Sequence, residues 1–166
     1  MWSLPHILFL QLRIRDRRRP VLANEITMDK LTKERRSWNM SRVRSENTKP
    51  ERAVRSLLHR MGYRFRLHAE ELPGKPDIKL PKYRTVLFVH GCFWHRHEGC
   101  AGSALPGTHR EFWEQKLNEN VERDLRNIKA LEAYGWRVMI VWQCELSDLG
   151  GLSARLDSVL RKPVPE

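Results

Sequence analysis

Two continuous apolar runs, TVLFVHG (85–91) and WRVMIVW (136–142), constrain the fold of this chain most. Neither alternates apolar with polar residues, so each must be covered on both faces, as a buried central strand is. Between them, Trp113, Leu117, Val121, Leu125, Ile128 and Leu131 recur at helical spacing over about 110–133, and Gly135 stops that helix. Upstream, Thr48-Lys-Pro-Glu51 matches a capping box with Pro in the first turn. The helix it opens runs to about Met61, with Ala53, Val54, Leu57, Leu58 and Met61 on one face and Gly62 as terminator. YRFRL (63–67) alternates like a strand, and LPGKPDIKL (72–80) is a turn feeding a short strand. A last helix covers about 151–161. The order is helix, three strands, helix, strand, helix, which predicts an α/β layered domain with a mixed β-sheet flanked by helices.

The 166 residues suit a single domain. Residues 1–27 read as a disordered N-terminal tail, 28–161 as the folded domain and 162–166 as a C-terminal tail. The tail's apolar run is shorter than the ~20 residues a membrane span needs. Its arginines follow that run, whereas a signal peptide carries its charge first. The expectation is therefore a protein with no membrane association, in a reducing, cytoplasmic compartment. Lys and Arg outnumber Asp and Glu by 31 to 20, a net charge of +11. The tail supplies +3 of it, so the domain itself remains strongly basic. Such a charge on a small domain predicts a polyanionic partner, and six tryptophans add surfaces on which bases can stack. Residues 31–44 form a basic helix or arm.

The chemistry is concentrated in HGCFWHRHEGC (90–100). Cys92, His97 and Cys100 follow a C-x4-H-x2-C spacing, and Cys144, at the end of a strand, supplies a fourth donor. Thiolate and imidazole in fours predict a tetrahedral structural Zn²⁺ site, with buried free cysteines and surface histidines as the plainer alternative. Spacing alone leaves His95 and His97 as alternative ligands. Three cysteines are too few and too odd in number for a disulfide framework. Asp77 opens the short strand after Gly74 and Pro76, and His90 ends the next strand. A carboxylate at adjoining strand ends suits Mg²⁺, and a turn residue capping its own backbone is the plainer alternative. Asp124 falls at the edge of the long helix's apolar stripe, where it faces either a cationic partner inward or Arg123 or Arg126 on the surface. Phe93-Trp94 adjoin the sulfur ligands and Phe112-Trp113 open the long helix. Phe112 is expected in the core, and at least one of Phe93 and Trp94 outside it.

HGCFWHRH, LPGKPD and EFWEQKLNENVERD, in this order and with Cys144 beyond them, resemble the very short patch repair (Vsr) mismatch endonucleases over roughly residues 28–146. The resemblance implies a restriction-endonuclease-like core and nicking of double-stranded DNA 5′ to the thymine of a T·G mismatch left by 5-methylcytosine deamination. It implies Asp77 as the catalytic aspartate on one or two Mg²⁺, with the backbone carbonyl of Val89 as a second ligand. His90 would stand near the scissile phosphate, where related nucleases place a lysine. His95 would activate water and Asp124 would orient it. Cys92, His97, Cys100 and Cys144 would hold the structural Zn²⁺. Phe93, Trp94 and Trp113 would wedge into the major groove, with Met40 facing the minor groove. A monomer, nucleoid-associated in a bacterium when on DNA, with mismatch-repair or polymerase proteins as partners, completes that expectation. Two departures stand out: Val89 replaces a frequent threonine, and Gly99 lengthens the His97–Cys100 interval by one residue. A nuclease for matched duplex sites and a non-catalytic zinc-stabilised DNA-binding module are the competing functional classes.

Overall fold

A computed structural model describes residues 32, 35, 38, 42 and 46–162. The expected tail 1–27, Met40 with most of the basic arm, and residues 163–166 lie outside the described residues. Helix α1 (Lys49–Arg60) begins at the capping box: Thr48 Oγ1 accepts from the Glu51 N–H, and Glu51 Oε1 accepts from the Thr48 N–H at 3.3 Å. Strand β1 (Arg66–Leu67) is much shorter than the alternating sequence suggested, because it is an edge strand with both side chains exposed. β2 (Ile78–Leu80) pairs antiparallel with β1 and with β3 (Thr85–His90). A tight turn at Pro81–Tyr83, closed by Arg84 in the left-handed region, connects β2 to β3. Helix α2 (Arg110–Ala133) then carries the chain across to β4 (Arg137–Trp142), which lies parallel to β3. Helix α3 (Leu149–Leu160) starts two residues before its expected position because Asp148 caps it, accepting from the Gly151 N–H at 2.9 Å.

The four-stranded mixed sheet, ordered β1-β2-β3-β4, is covered on both faces. Leu87 on β3 joins Ile78, Leu80, Met139 and Val141 in packing against Val54, Leu57 and Leu58 of α1 and Leu152, Leu156 and Leu160 of α3. Val86 and Phe88 turn the opposite way, to Leu131 of α2. The two-residue period of a strand accounts for this alternation. It also puts His90 on the α2 side, which fixes where the chemistry gathers.

Helix α2 corrects three expectations. At about 100° per residue its inward arc centres on Leu117, Asp124 and Leu131, and Leu117 and Leu131 are fully buried. Asp124 thus sits in the middle of the inward arc rather than at its edge. Leu125 lies far round the helix and is 53% exposed. Phe112 points away from the core and is 60% exposed, contrary to its expected burial.

Candidate active site

The turn before β2 delivers Asp77 to the middle of the sheet. Ile78 is registered with Leu87, so Asp77 rises beside Phe88 and Val89, and its Oδ2 accepts the Val89 N–H at 2.7 Å. This hydrogen bond is to strand β3, so the carboxylate is not the self-capping turn residue that the bare sequence allowed. Gly74 permits the approach: its φ is +72°, and a Cβ there would lie 2.7 Å from Asn127 Nδ2 on α2. Burial pushes the Asp77 carboxyl up to about 6, opposed by the Val89 hydrogen bond and reinforced by the negative charge of Glu51. Two carboxylates brought so close, both largely desolvated, favour a cation between them. Asp77, Glu51 and His68 each offer a donor atom within 4.8 Å of the others.

Glu51 escaped the sequence reading because the capping motif had already given it a role. It is 3% exposed, and besides capping α1 it accepts from Arg55 Nη2 at 2.7 Å. His68 gave no signal at all: it stands alone in the sequence, and only the pairing of β1 with β2 brings it to Asp77.

On the α2 side of the same cleft, His95 Nδ1 lies 2.5 Å from Asp124 Oδ2. Burial disfavours the Asp124 anion, but the His95 hydrogen bond and the charges of His95, His90 and Arg123 outweigh it and hold the carboxyl below its ordinary value. Arg123 Nη2 approaches the other carboxylate oxygen at 3.5 Å, a weaker contact than His95 makes. His90 is buried, and its ring stacks on that of His95 at 3.7 Å and 10°. Burial first, and nearby His95 second, bring the His90 pKa down to about 3, with Asp124 opposing. His90 is therefore a neutral imidazole near pH 7 and cannot carry the charge that a lysine in its place would carry. A cleft of about 840 Å³ exposes Asp77, Val89, His90, His95 and Asp124 together, and Arg42, Lys49, Lys75 and Arg123 stand along it.

The second donor cluster lies past the ends of β3 and β4. Cys92, His97, Cys100 and Cys144 bring their donor atoms within 4.8 Å of one another, so the cluster takes His97 and leaves His95 to Asp124. His97 Nδ1 is 3.3 Å from Cys144 Sγ. Desolvation, followed by the neighbouring sulfurs of Cys92 and Cys100, pushes the Cys144 thiol up to about 11. The Gly102 backbone N–H draws the Cys100 thiol down. Crowded thiols of this kind fit a cation that takes them as thiolates. The lengthened interval is absorbed at Gly99, whose φ of +70° is open to glycine.

A ladder of rings runs from the His95–Asp124 pair to the sulfur cluster. From His95 and His90 it continues edge-on to Trp142, registered opposite His90 on β4, at 5.4 Å. Trp142 then stacks on His97 at 4.1 Å and 5°. Phe93, Trp94 and Trp113 form an edge-to-face group with centroids 5.1–6.0 Å apart, all three partly exposed. Asn120, buried on α2, donates to the Trp94 carbonyl at 3.1 Å and ties that loop to the helix. Asn120 was missed because a lone polar residue between helical apolar positions reads as surface. Exposed Phe112 extends the group at 5.3 Å from Trp113. No helix among the described residues is long and apolar enough to cross a membrane.

The sequence profile of the DNA mismatch endonuclease Vsr matches residues 28–101. The chain is 59% identical over 132 residues to the type II nicking enzyme V.XorIIP of Xanthomonas oryzae pv. oryzae, covering 80% of this chain and 96% of that protein. It is 41% identical over 134 residues to the type II nicking enzyme V.NmeAIP of Neisseria meningitidis, covering 81% and 95%. It is 47% identical over 111 residues to the DNA mismatch endonuclease Vsr of Escherichia coli, covering 67% and 70%.

Proposed function

The chain belongs to the Vsr DNA mismatch endonuclease family and is a DNA endonuclease; from that premise we propose that it nicks one strand of duplex DNA 5′ to the thymine of a T·G mismatch. The observation that carries this reading is one cleft shared by a desolvated carboxylate, Asp77, and a carboxylate-held imidazole, His95 with Asp124. The mixed sheet, with Asp77 at the start of its second strand, supports reading the core as restriction-endonuclease-like.

In this proposal Asp77 holds divalent metal, Mg²⁺ in one or two copies, with Glu51 beside it and the Val89 carbonyl within the same cleft. When bound there, such a cation would supply Lewis-acid polarisation of the phosphate and charge neutralisation at the leaving oxygen. His95 accepts the proton of the attacking water through Nε2, since Asp124 engages Nδ1 and fixes the tautomer. Asp124 then stabilises the imidazolium that results. His90, neutral and stacked beneath His95, keeps the ring in plane and offers a hydrogen bond rather than a charge to the phosphate. The water oxygen bonds to phosphorus as the P–O3′ bond breaks, leaving a 5′-phosphate and a 3′-oxygen that takes a proton from solvent to become the 3′-hydroxyl. Cys92, His97, Cys100 and Cys144 hold a structural Zn²⁺ that orders the 92–109 loop and with it Phe93 and Trp94.

Mismatch choice follows from stacking. A weakly stacked T·G step opens at lower cost than a matched pair, so Phe93, Trp94 and Trp113 enter there preferentially. Lysines and arginines along the cleft bind phosphates and make affinity salt-sensitive. The test offers T·G and matched duplexes of the same sequence side by side with Mg²⁺ and reads nicked product. Nicking confined to the T·G strand, and lost in Asp77→Ala, is expected. Equal cutting of the matched duplex identifies a restriction-type nuclease instead, and unchanged cutting by Asp77→Ala removes Asp77 from the mechanism.

A further inference from the structure

We propose that His68 is a nitrogen ligand of the cation held at Asp77, so that this nuclease site is a mixed nitrogen–oxygen site that favours Mn²⁺ over Mg²⁺. The inference rests on the reading of Asp77 as a metal ligand and adds a donor to it. His68 is fixed beside Asp77 by the backbone, where its N–H donates to the Asp77 carbonyl at 3.3 Å. Its ring nitrogen lies within 4.8 Å of carboxylate oxygens of both Asp77 and Glu51.

The state of that ring is set by Arg55. Arg55 Nη2 sits 3.2 Å from His68 Nε2 and 2.7 Å from Glu51 Oε2. A guanidinium has donors only, so the His68 Nε2 that faces it must carry a lone pair. A lone pair and a carboxylate oxygen thus already converge on one positively charged nitrogen. Arg55 Nη2 marks the place of a cation between two of the three donors. A divalent ion shared with Asp77 would take that place, with the guanidinium, whose Nη1 donates to Asn47 Oδ1 at 2.6 Å, swinging away from His68 and Glu51. Arg55 Nε, buried without a hydrogen-bond partner, shows that the guanidinium is not fully satisfied where it stands. All-oxygen sites suit Mg²⁺ and Ca²⁺, whereas an imidazole donor shifts preference toward transition ions.

The test uses the full-length chain as purified, with Mn²⁺ alone as the probe and histidines selectively labelled with ¹⁵N. Pulsed electron paramagnetic resonance of bound Mn²⁺ reads a directly coordinated histidine nitrogen. Wild type is expected to show ¹⁵N coupling, and His68→Gln to bind Mn²⁺ without it. The variant's preference for Mn²⁺ over Mg²⁺, read by competition, is expected to fall by about tenfold or more. Absence of ¹⁵N coupling in wild type, or the same coupling and preference in His68→Gln, overturns the proposal. Asp77→Asn separates the two levels. Loss of Mn²⁺ binding in that variant is expected, and Mn²⁺ binding that persists overturns the Asp77 reading itself and the His68 ligand with it.

Discussion

The sulfur cluster lies at one end of a ladder of rings and the carboxylate cluster shares the cleft at the ladder's other end, His95, yet the two clusters are built in opposite ways. Three of the four sulfur-side donors, Cys92, His97 and Cys100, come from nine consecutive residues, and the fourth, Cys144, lies two residues past the end of β4. The carboxylate side draws Glu51 from α1, His68 from the end of β1 and Asp77 from the start of β2. The first cluster offers four protein donors, enough to close the coordination of a tetrahedral ion, which suits holding a loop. The second leaves room in an open cleft, which suits a phosphate. A cluster local in sequence can act as a clasp, whereas one assembled across three elements exists only once the sheet has formed.

The sharpest way to break this division is Cys92→Ser, which removes the buried sulfur of the clasp. Metal analysis should fall from about one zinc per chain to near none. The melting temperature should drop by about 10 °C or more, since each kcal/mol shifts a chain of this size by roughly 2–4 °C. Zinc content unchanged by this substitution refutes the clasp.

Asp124→Asn tests the other side. Nicking should slow by about 10²–10³-fold with zinc retained and KM little changed, because the tautomer of His95 is lost and not the fold. His95→Ala should cost about as much, and the double substitution little more, since the two act as one unit.

A smaller effect runs in the opposite direction. The folded Asp77 carboxyl titrates near 6, above its ordinary 3.8. Between those values the folded state keeps a proton that the unfolded chain has released, so stability falls as pH rises through this window. Above pH 6 the full cost is present, up to about 3 kcal/mol at 1.36 kcal/mol per unit. Without added divalent metal at pH 7.5, Asp77→Asn should therefore unfold at higher urea than wild type. The advantage should vanish near pH 4, and Mg²⁺ should narrow it by binding wild type alone. An Asp77→Asn protein that is no more stable at pH 7.5 contradicts the desolvated carboxylate.

The least effect is expected at the joint between the clusters. Trp142→Leu removes the ring between His90 and His97, and nicking should fall by about tenfold with zinc still bound. Zinc loss from this variant would show that the ladder holds the clasp rather than aligning His95.

The elements were readable because each rests on a local signal. The Thr48–Glu51 box starts α1, and the apolar runs place β3 and β4. The 24-residue periodicity of α2 holds from Arg110 to Ala133. The crowding of Cys and His within 90–100 pointed to three of the clustered sulfur-side residues for the same reason, and resemblance to a family supplied the roles proposed for Asp77, His95 and Asp124. Spacing could not choose between His95 and His97, because both lie in one loop and only packing against α2 and Trp142 separates them. Leu125 and Phe112 were misread where a hydrophobic residue stands on the wrong arc of a real helix.

By itself, then, the sequence determined what short range can determine: hydrogen bonds at helix ends, the period of apolar residues, and donors a few residues apart. Only the tertiary structure decided that Glu51, His68 and Arg55 meet at Asp77, that His90 stays neutral beneath His95, and that one ring ladder links His95 to His97. Those contacts depend on the register of β1 on β2 and on the burial that α2 imposes. Strand register and desolvation are properties of the assembled sheet, and no residue carries them alone.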